Sequence, residues 1–366
     1  IIKSMGAKVE WLEERKIKIE CKNINPKKIP ERVVGYLRGS ALLWGPLLSR
    51  FDNFKTIAPG GDIIGARPLD THFDAFLQMG VDVKQKGKFN YFKKIKKIKE
   101  DIIVILNEFS VTGTENVLLF ASSIPQKITL KIADQDYQVQ ELAKVLKKMG
   151  AKIKPGFHEF EIKGTEKLKG FEHNLIADPI EAGTFIIAVL ATKGEVLVKN
   201  VEMDYLTLFL KKLVAFGANF EFPDKKSVKV LSSPKLAITK IQSLPYPGIH
   251  TDLQSPFGIL ATQTKGSTLI HDPLYEGRLK YLEELNKMGA DIILCDPHRA
   301  IVNGPTNLHG IEVPSIDLRS GASLIIAGLV ARGTTTINNA YQIDRGYEKI
   351  EERLQKLGAD IKRVSI

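Results

Sequence analysis

The chain has 366 residues, 43% of them hydrophobic, and its 53 basic and 42 acidic residues give a net charge of +11. No apolar run reaches the length that a bilayer requires, no signal peptide is visible, and two cysteines are too few for a disulfide framework. Composition therefore excludes membrane-spanning and disulfide-stapled proteins and predicts a globular, cytoplasmic protein in which Cys21 and Cys295 are small buried residues of strands.

Six copies of a short junction divide the chain into similar parts. Each copy has an apolar residue, a glycine, usually an alanine, one polar residue and then an apolar strand start. The glycines are 67 to 74 residues apart, which indicates one folding unit used six times, and only five residues precede the first, so the first unit is expected to be truncated. Each glycine is predicted to end a helix at positive φ, directly before a strand: Gly6, Gly80, Gly150, Gly217, Gly289 and Gly358.

Two kinds of helix are predicted between these junctions. Helices that are apolar nearly all round belong in the middle of a domain and are predicted at residues 41–48, 116–124, 182–191, 257–261 and 322–331. Half-buried amphipathic helices are predicted just before the junctions, at residues 137–148, 206–215, 278–287 and 347–356. The unit therefore contains a strand, a buried helix, strands, an amphipathic helix and a strand, and three units per core is the natural division.

A glycine-rich segment, residues 59–72, has the composition of a ligand-closing loop. It contains three glycines, two prolines, two aspartates, an arginine and a histidine within fourteen positions. Such a backbone suits a mobile loop that closes over an anionic group, because guanidinium presents a planar fork of donors to phosphate or carboxylate. The alternative is an ordinary turn before a helix, with Asp70 or Thr71 near its N-cap.

Residues 84–99 form the densest basic region, with eight lysines interleaved with Phe89, Tyr91 and Phe92. Taken alone, this pattern is typical of a nucleic-acid patch. The favoured interpretation is a solvated strand and loop face, because charge runs usually are solvated and no nucleic-acid fold signature accompanies this one. We therefore predict no nucleic-acid partner, and no metal or organic cofactor either, because no His/Cys cluster has ligand spacing.

The glycine-rich loop belongs to a set of segments that together resemble one family. The loop, ending in Gly65-Ala66-Arg67-Pro68 with Asp70 and His72 after it, and the sixfold repeat resemble the UDP-N-acetylglucosamine 1-carboxyvinyltransferases. The related enolpyruvylshikimate-phosphate synthases share the repeat architecture, but the loop matches the sugar-nucleotide family. The resemblance covers the whole chain and also rests on residues 38–40, 45–51, 245–254, 275–278, 317–320 and 343–347.

The resemblance implies an α/β protein of two inside-out α/β barrel domains. Each domain would be built from three repeats of about 70 residues, with parallel buried helices in its middle and with the first repeat of the chain truncated. The catalytic-loop domain would cover residues 1–177 and the second domain residues 178–366.

The family's reaction transfers the enolpyruvyl group of phosphoenolpyruvate to the 3-hydroxyl of UDP-N-acetylglucosamine and releases phosphate, which opens peptidoglycan precursor synthesis. The resemblance makes these two molecules the expected partners, with no membrane partner. Asp252 matches the family's base near the sugar hydroxyl, and Asp62, Arg67 and Arg345 are the other catalytic matches. Without the resemblance, Asp252 would be interpreted as a helix-start aspartate and each arginine as a surface or ion-pair residue.

Substrate binding is implied at two further kinds of position. Arginines match the positions that hold phosphoenolpyruvate, since guanidinium bonds phosphate and carboxylate bidentately. A segment at the start of a buried helix matches the uridine diphosphate site. A plain N-cap is the other interpretation of this segment, and the two roles are compatible. The implied substrate-binding set is Arg38, Arg67, Pro68, Asp70, His72, Ser110, Val111, Gly113, Asp252, Tyr275, Arg278, Asp317 and Arg319.

Asp62 stands where many members have a cysteine that donates the proton to the vinyl carbon; some carry aspartate. Fosfomycin inactivates members through that thiol, so the resemblance implies insensitivity here. With a reference pKa near 3.9, holding an aspartic acid protonated at neutral pH costs roughly 4 kcal/mol. Burial and the substrate's negative charge raise this pKa while Arg67 lowers it, so a closed, loaded loop is expected to favour protonation.

Some positions depart from the family pattern, and three hypotheses follow. The departures are Glu108, residues 136–138, Pro179 and Gln342. The family's N-terminal lysine and asparagine, which contact both substrates, would lie in the missing part of the first unit, so a chain that began at Ile1 is expected to turn over poorly or not at all. The favoured hypothesis is the carboxyvinyltransferase. The second is a catalytically impaired sugar-nucleotide binding or regulatory paralogue, supported by the departures. The third is a nucleic-acid binder that uses residues 84–99, which a salt titration would expose.

Overall fold

The computed structural model describes residues 1–62 and 64–364, and internal contacts divide the chain into two units. The first unit comprises Ile1–Asp62 and Arg67–Leu175, and the second comprises Ile63–Ala66 and Ile176–Ile366. The tip of the glycine-rich loop is therefore grouped with the second unit, although both of its flanks are grouped with the first.

The first unit is a mixed α/β structure. Its helices are α1 (Glu31–Val34), α2 (Trp44–Arg50), α3 (Asp70–Gln78), α4 (Val111–Ala121) and α5 (Tyr137–Lys148), with 3-10 turns at Pro26–Lys28 and Arg38–Leu43. Its strands are β1 (Lys8–Glu13), β2 (Lys16–Glu20), β3 (Asn53–Ile57), β4 (Val81–Lys86), β5 (Phe89–Lys94), β6 (Ile102–Ile105), β7 (Lys127–Lys131), β8 (Lys152–Gly156) and β9 (Glu159–Lys163). They form a β1-β2 hairpin, an antiparallel sheet β3-β5-β4 and a sheet β6-β7-β9-β8 in which β6 and β7 are parallel.

The core of the first unit lies where α2 packs against α4. The two helices approach so closely that a Cβ on Gly45 would stand 2.8 Å from the carbonyl oxygen of Asn116, which explains a glycine inside α2. Trp44 is only 1% exposed, and Phe92 stacks on Phe54 with ring centroids 4.7 Å apart. Thus one aromatic residue of the basic region belongs to the core, while the lysines around it are exposed or partly exposed.

The second unit repeats the same plan. Its helices are α6 (Pro179–Ala191), α7 (Thr207–Ala215), α8 (Gln254–Thr262), α9 (Tyr281–Lys287), α10 (Leu318–Val330) and α11 (Ile350–Lys356), with 3-10 turns at Met203–Leu206, Thr251–Leu253 and Ala340–Arg345. Its strands are β10 (Val196–Val198), β11 (Asn219–Asp224), β12 (Ser227–Leu231), β13 (Lys240–Gln242), β14 (Gly266–His271), β15 (Asp291–Asp296), β16 (Arg299–Gly304), β17 (Glu312–Pro314) and β18 (Thr336–Asn338). The sheets are β10-β12-β11, β13-β14-β16-β15 and the parallel pair β17-β18.

Three largely buried helices, α6, α8 and α10, pack against one another in the middle of the second unit. Ser323 of α10 donates to Ser255 of α8 at 2.9 Å between two of these helices, and Thr184 of α6 bonds the hydroxyl of Tyr347 at 2.9 Å. Strands of the surrounding sheets, such as β12 and β16, contact these helices. Buried helices inside and sheets around them are the arrangement that the resemblance implied.

All six junction glycines have the predicted positive φ, and the last five end a helix as predicted, whereas Gly6 follows a turn. Gly6, Gly80, Gly150, Gly217, Gly289 and Gly358 have φ angles of 106°, 77°, 109°, 97°, 98° and 96°. A strand follows the first five, but residues 359–364 form none, so the strand predicted after the sixth glycine is wrong for the described residues. The corresponding strands β8 and β15 are edge strands that pair only with the strand following them, and residues 359–364 have no such neighbour in the described chain.

Other boundaries differ from the prediction for a common reason. The amphipathic helix at 137–148 is confirmed as predicted, but the buried helices α4, α6, α8 and α10 begin three to five residues earlier than their apolar runs. Their first turns carry polar residues that an apolar pattern does not count. The first buried helix is divided into a 3-10 turn and α2.

The cysteine prediction is wrong, since both Cys21 and Cys295 are exposed. Cys21 follows β2, and Cys295 lies on the edge strand β15, whose Ile293 and Leu294 are exposed as well. An apolar run predicts that a strand forms, but it does not predict which side chains of the strand are buried under another helix or sheet. Among the described residues, the helices are all too short or too polar to cross a membrane.

The β1-β2 hairpin leaves an apolar face open to solvent. Trp11 pairs with Ile17 across it, and Trp11, Ile17 and Ile19 are 65%, 42% and 48% exposed. In the β8-β9 hairpin, which also follows a junction glycine, the paired Ile153 and Ile162 are buried.

Candidate active site

Asp252 lies between two arginines in a cluster of charged residues of the second unit. It sits in the turn before α8, where its backbone N–H donates to Nδ1 of His250 at 3.1 Å. Its Oδ1 accepts a hydrogen bond from Nη2 of Arg278, and its Oδ2 accepts one from Nε of Arg319 at 3.0 Å. The two guanidinium groups are largely buried, with side chains 4% and 11% exposed. Both oxygens of Asp252 are therefore engaged by cations.

This environment fixes the charge of Asp252. Burial alone would raise the pKa of its carboxyl group, but the charges of Arg319 and Arg278 outweigh burial and hold that pKa well below its ordinary value. Asp252 is thus an anion whose basicity is suppressed while both arginines contact it.

Arg319 follows the N-cap of α10 and keeps one donor unused. Oδ1 of Asp317 caps the helix by accepting the backbone N–H groups of Arg319 at 2.8 Å and Ser320 at 3.0 Å. The Arg319 guanidinium lies over the ring of Tyr347, 5.2 Å from its centroid. Its Nη1 is buried without a hydrogen-bond partner among the described residues, so a donor remains for a ligand.

Other predicted residues of this unit take different places. Asp317 is buried as a helix cap, with Oδ1 3.8 Å from Nη1 of Arg278, so it acts on its neighbours within the protein. Tyr275 is partly buried beneath the Arg278 guanidinium. Arg345 is exposed at the end of a 3-10 turn, and the preceding Asp344 binds Arg363 through two hydrogen bonds of 2.6 and 2.9 Å.

Glu276, which sequence reasoning did not single out, holds the tip of the glycine-rich loop within the second unit. Its Oε1 accepts the backbone N–H of Ala66 at 2.7 Å, and the N–H of Gly277 donates to the carbonyl of Ile64 at 2.8 Å. Gly65 has φ +139°, and a Cβ there would stand 2.4 Å from Oε2 of Glu276. Glycine at this position therefore permits the contact.

In the first unit the loop flanks bring Arg38, Arg67 and Asp62 together. Nη2 of Arg67 donates to the backbone carbonyl of Asp62 at 2.9 Å, and Nη2 of Arg38 donates to the carbonyl of Pro68 at 3.1 Å. A Cβ on Gly61 would stand 2.6 Å from Arg67 Nη2 and 3.0 Å from Arg38 Cβ. The loop therefore gathers two of the predicted cations beside the predicted proton donor.

His72, which was predicted to bind substrate, is buried in the first unit, and both of its ring nitrogens have hydrogen-bond partners within the protein. Its Nδ1 lies 3.0 Å from Nδ2 of Asn116 and its Nε2 3.1 Å from Oγ1 of Thr112. Because an amide nitrogen only donates, Nδ1 accepts and the Nε2–H donates to Thr112. Burial, with a contribution from Arg38, lowers the pKa of His72 to about 3, so a neutral ring supports the first turn of α4. Asp70 is exposed as the first residue of α3.

The predicted diphosphate segment has the plain cap that was its alternative. The Ser110 side chain caps α4 by accepting the N–H of Gly113 at 3.1 Å, while Val111 starts the helix. The departures from the family pattern also have local roles. Asp136 caps α5, and Pro179 is the first residue of α6, where proline's missing N–H costs nothing.

Glu115 is a buried acid of α4 that the sequence did not mark. Burial, then the negative charges of Asp136 and Asp134, raises its pKa from 4.5 to about 7. Between these two values the folded chain keeps a proton that the unfolded chain releases, so stability falls as pH rises through that window. The loss amounts to about 3 kcal/mol when complete.

Glu115→Gln should remove this dependence, because the amide keeps the shape without ionising. We expect the variant to resemble the wild type at pH 5 and to exceed its free energy of unfolding by up to about 3 kcal/mol at pH 8, measured by urea titration. Glu161→Gln on the strand β9 is the control and should leave the pH dependence unchanged. An unchanged slope in Glu115→Gln would show that Glu115 is ionised throughout.

Known proteins match the chain over nearly its whole length. The family model of EPSP synthase (3-phosphoshikimate 1-carboxyvinyltransferase) matches residues 1–354. The UDP-N-acetylglucosamine 1-carboxyvinyltransferase of Finegoldia magna is 37% identical and aligns with 100% of this chain and 86% of that protein. The protein of the same name from Treponema denticola is 39% identical over 99% of this chain and 86% of its own length.

Two solved structures show the same fold. The enolpyruvyl transferase NikO from Streptomyces tendae superposes with a TM-score of 0.85 at 23% identity, covering 99% of this chain and 86% of that one. An EPSP synthase from Acinetobacter baumannii superposes with a TM-score of 0.69 at 18% identity, covering 97% and 85%.

Proposed function

Because the chain belongs to the EPSP synthase family and, within it, to the UDP-N-acetylglucosamine 1-carboxyvinyltransferases, we propose that it transfers enolpyruvyl from phosphoenolpyruvate to the 3-hydroxyl of UDP-N-acetylglucosamine. Phosphate is the second product, and the reaction serves peptidoglycan precursor synthesis. Both substrates are small cytoplasmic molecules, so the proposed location is the cytoplasm. The observation that carries the proposal is the carboxylate of Asp252 held by two buried guanidinium groups.

The proposed chemistry assigns a base and an acid. The sugar hydroxyl adds to C2 of phosphoenolpyruvate while C3 gains a proton, and loss of phosphate and of one C3 proton restores the double bond. Asp252 takes the hydroxyl proton and Asp62 supplies the proton to C3. For Asp252 to act, the guanidinium groups must loosen, and the anionic groups of the substrate are the natural competitors for them.

The arginines are assigned to the charges of phosphoenolpyruvate. Arg319 has an unused buried donor, and Arg67 and Arg38 are gathered by the loop flanks of the first unit. Such preorganised cations stabilise charge that develops on the leaving phosphate. Arg345 is the fourth proposed anion contact.

The paralogue alternative is not favoured. Asp136 and Pro179 have ordinary roles at helix starts, so these departures do not require lost activity. The similarity extends along the whole chain to proteins named as transferases.

Phosphate release tests the function. The full-length protein, incubated with phosphoenolpyruvate and UDP-N-acetylglucosamine, should release phosphate, while shikimate 3-phosphate in place of the sugar nucleotide should give none. Release only with shikimate 3-phosphate would assign the chain to the other branch of the family, and release with neither acceptor would contradict the proposed activity.

Arg67→Ala should impair the use of phosphoenolpyruvate selectively. Removing a charge-assisted contact of about 1.5–3 kcal/mol should raise the KM for phosphoenolpyruvate by about ten- to a hundredfold. The KM for the sugar nucleotide should change much less, measured by varying each substrate in turn. Arg299→Ala is the matched control, since Arg299 is exposed and pairs with Asp296 on β15. Equal effects on both substrates would argue against the assignment of Arg67.

A further inference from the structure

Asp272 is a fully buried carboxylate directly after β14 that the proposed mechanism does not use. Its Oδ1 accepts the backbone N–H groups of Leu274 at 3.0 Å and Tyr275 at 3.3 Å. Its backbone is fixed by His298, whose carbonyl accepts the Asp272 N–H at 2.8 Å and whose Nδ1 lies 2.7 Å from the Asp272 carbonyl. Its Oδ2 accepts the hydroxyl of Thr251.

Thr251 links this carboxylate to Arg278. The Thr251 hydroxyl has one proton, which it donates to Asp272, and its oxygen accepts Nε–H of Arg278 at 3.1 Å. Because a guanidinium only donates, the Thr251 oxygen is the acceptor of the Arg278 N–H, and its own proton is left for Asp272. The next residue along the chain, Asp252, accepts a hydrogen bond from Nη2 of the same guanidinium.

We propose that Asp272 and Thr251 are positioning residues of the reaction, because together they hold the Arg278 guanidinium in the orientation that meets Asp252. The inference rests on the proposed function. Without the Thr251 hydroxyl, Nε of Arg278 would lose a buried acceptor and Asp272 would lose a donor. Arg278 would then be free to turn toward Asp317, whose Oδ1 is 3.8 Å from its Nη1, and away from Asp252.

The charge balance explains why orientation matters. Arg278 contacts Asp252 directly, is linked to Asp272 through Thr251 and has its Nη1 3.8 Å from Asp317, so the orientation of its guanidinium decides which carboxylate it neutralises. The charged groups that act on Asp252 are Arg319, Arg278 and His250. The groups that act on these two arginines in turn are Asp317, Asp272 and Tyr275 around Arg278, and Tyr347 and Asp178 around Arg319. Of these, Arg278 is the one that Thr251 orients.

Thr251→Val tests the link, because valine keeps the shape and removes only the hydroxyl. We expect kcat to fall at least tenfold, while KM for both substrates changes less than threefold. The acid limb of the pH profile of kcat/KM should move to higher pH, because Arg278 lowers the pKa of Asp252 and would no longer contact it. Thr251→Ser keeps the hydroxyl and should restore both. Thr268→Val is the matched control: Thr268 is buried in β14 and its hydroxyl donates to the carbonyl of Ile238 at 2.6 Å, so stability should fall without a kinetic change.

Asp272→Asn provides a second variant if Thr251→Val does not fold. Its amide would donate toward Thr251, leaving the hydroxyl proton without its acceptor, and the same fall in kcat is expected. The side-chain Nε–H signal of Arg278 in a nitrogen–proton NMR spectrum, assigned with Arg278→Lys, reads the link without turnover. It should be protected from exchange in the wild type, Thr251→Ser and Thr268→Val, and lost in Thr251→Val and Asp272→Asn.

These readouts separate the two hypotheses. A wild-type protein that releases no phosphate yet shows the protected Arg278 signal contradicts the proposed function and leaves the hydrogen-bond link standing. An active wild type whose Thr251→Val and Asp272→Asn variants match Thr268→Val in kcat and pH profile overturns the positioning role. An unchanged Arg278 signal in Thr251→Val overturns the link itself.

Discussion

Asp252→Ala is expected to lower turnover by a factor of about a hundred or more, which corresponds to about 2.7 kcal/mol of lost transition-state stabilisation. The variant lacks the group that takes the hydroxyl proton, and steady-state phosphate release measures the loss. Asp252→Asn should be equally impaired, because an amide of the same shape is no base. Asp252→Ala also removes the carboxylate that both buried guanidinium groups bind, so the melting temperature should fall.

A control variant and the pH dependence of stability both test the prediction for Asp252. Asp291→Ala, on the exposed edge strand β15, should retain wild-type turnover. Wild-type rates in a folded Asp252→Ala protein would remove Asp252 from the mechanism. The pKa of Asp252 is depressed in the folded protein, so its contribution to stability is present at neutral pH and is lost only in strong acid. The difference in melting temperature between the wild type and Asp252→Ala should therefore persist from pH 5 to pH 8.

Asp62→Cys should convert an insensitive protein into one that fosfomycin inactivates. A carboxylate spreads its charge over two strongly hydrated oxygens and attacks an epoxide poorly, whereas a thiolate is soft and reactive. Incubated with fosfomycin and UDP-N-acetylglucosamine, the wild type should keep its activity and its mass. The cysteine variant should show time-dependent inhibition and a covalent mass increase of one adduct.

The native cysteines serve as internal controls for this experiment. Cys21 and Cys295 are both exposed, so simple access to a thiol is already available in the wild type. Peptide mapping should place the adduct on residue 62 alone. Rapid inactivation of the unmodified protein, with an adduct on the loop, would show that the chemistry of residue 62 has been misinterpreted.

The parts of the fold that the sequence predicted well are those set by local chemistry. The positive φ at the five junction glycines that follow a helix results from helix termination, and the helix Tyr137–Lys148 combines an Asp136 cap with strict apolar spacing. The errors arose where burial depends on a second layer. Exposed Cys295 lies on an edge strand, and residues 359–364 have no neighbouring strand among the described residues.

Some residues of the candidate site could be grouped before the structure was known, and others could not. Asp252, Arg278 and Arg319 come from segments far apart in sequence, and only the resemblance grouped them before the structure placed them in contact. The buried ring of His72 could not be inferred from a loop pattern, since the cavity around it is built by α2 and α4. The only sequence feature that could have marked Asp272 is its position as an acidic residue directly after an apolar strand. No sequence spacing indicates that it contacts Thr251.

The different surroundings of the two tryptophans make intrinsic fluorescence a selective probe. Trp44 is 1% exposed in the first unit's core and should emit at short wavelength until that core opens, whereas Trp11, 65% exposed, should be quenched by iodide from the start. The second unit contains no tryptophan. A fluorescence melt therefore reports only the first unit, and a mismatch with far-ultraviolet circular dichroism would reveal stepwise unfolding. Destabilised variants of Asp252 or Thr251 would look intact by emission alone, so circular dichroism is the probe that they require.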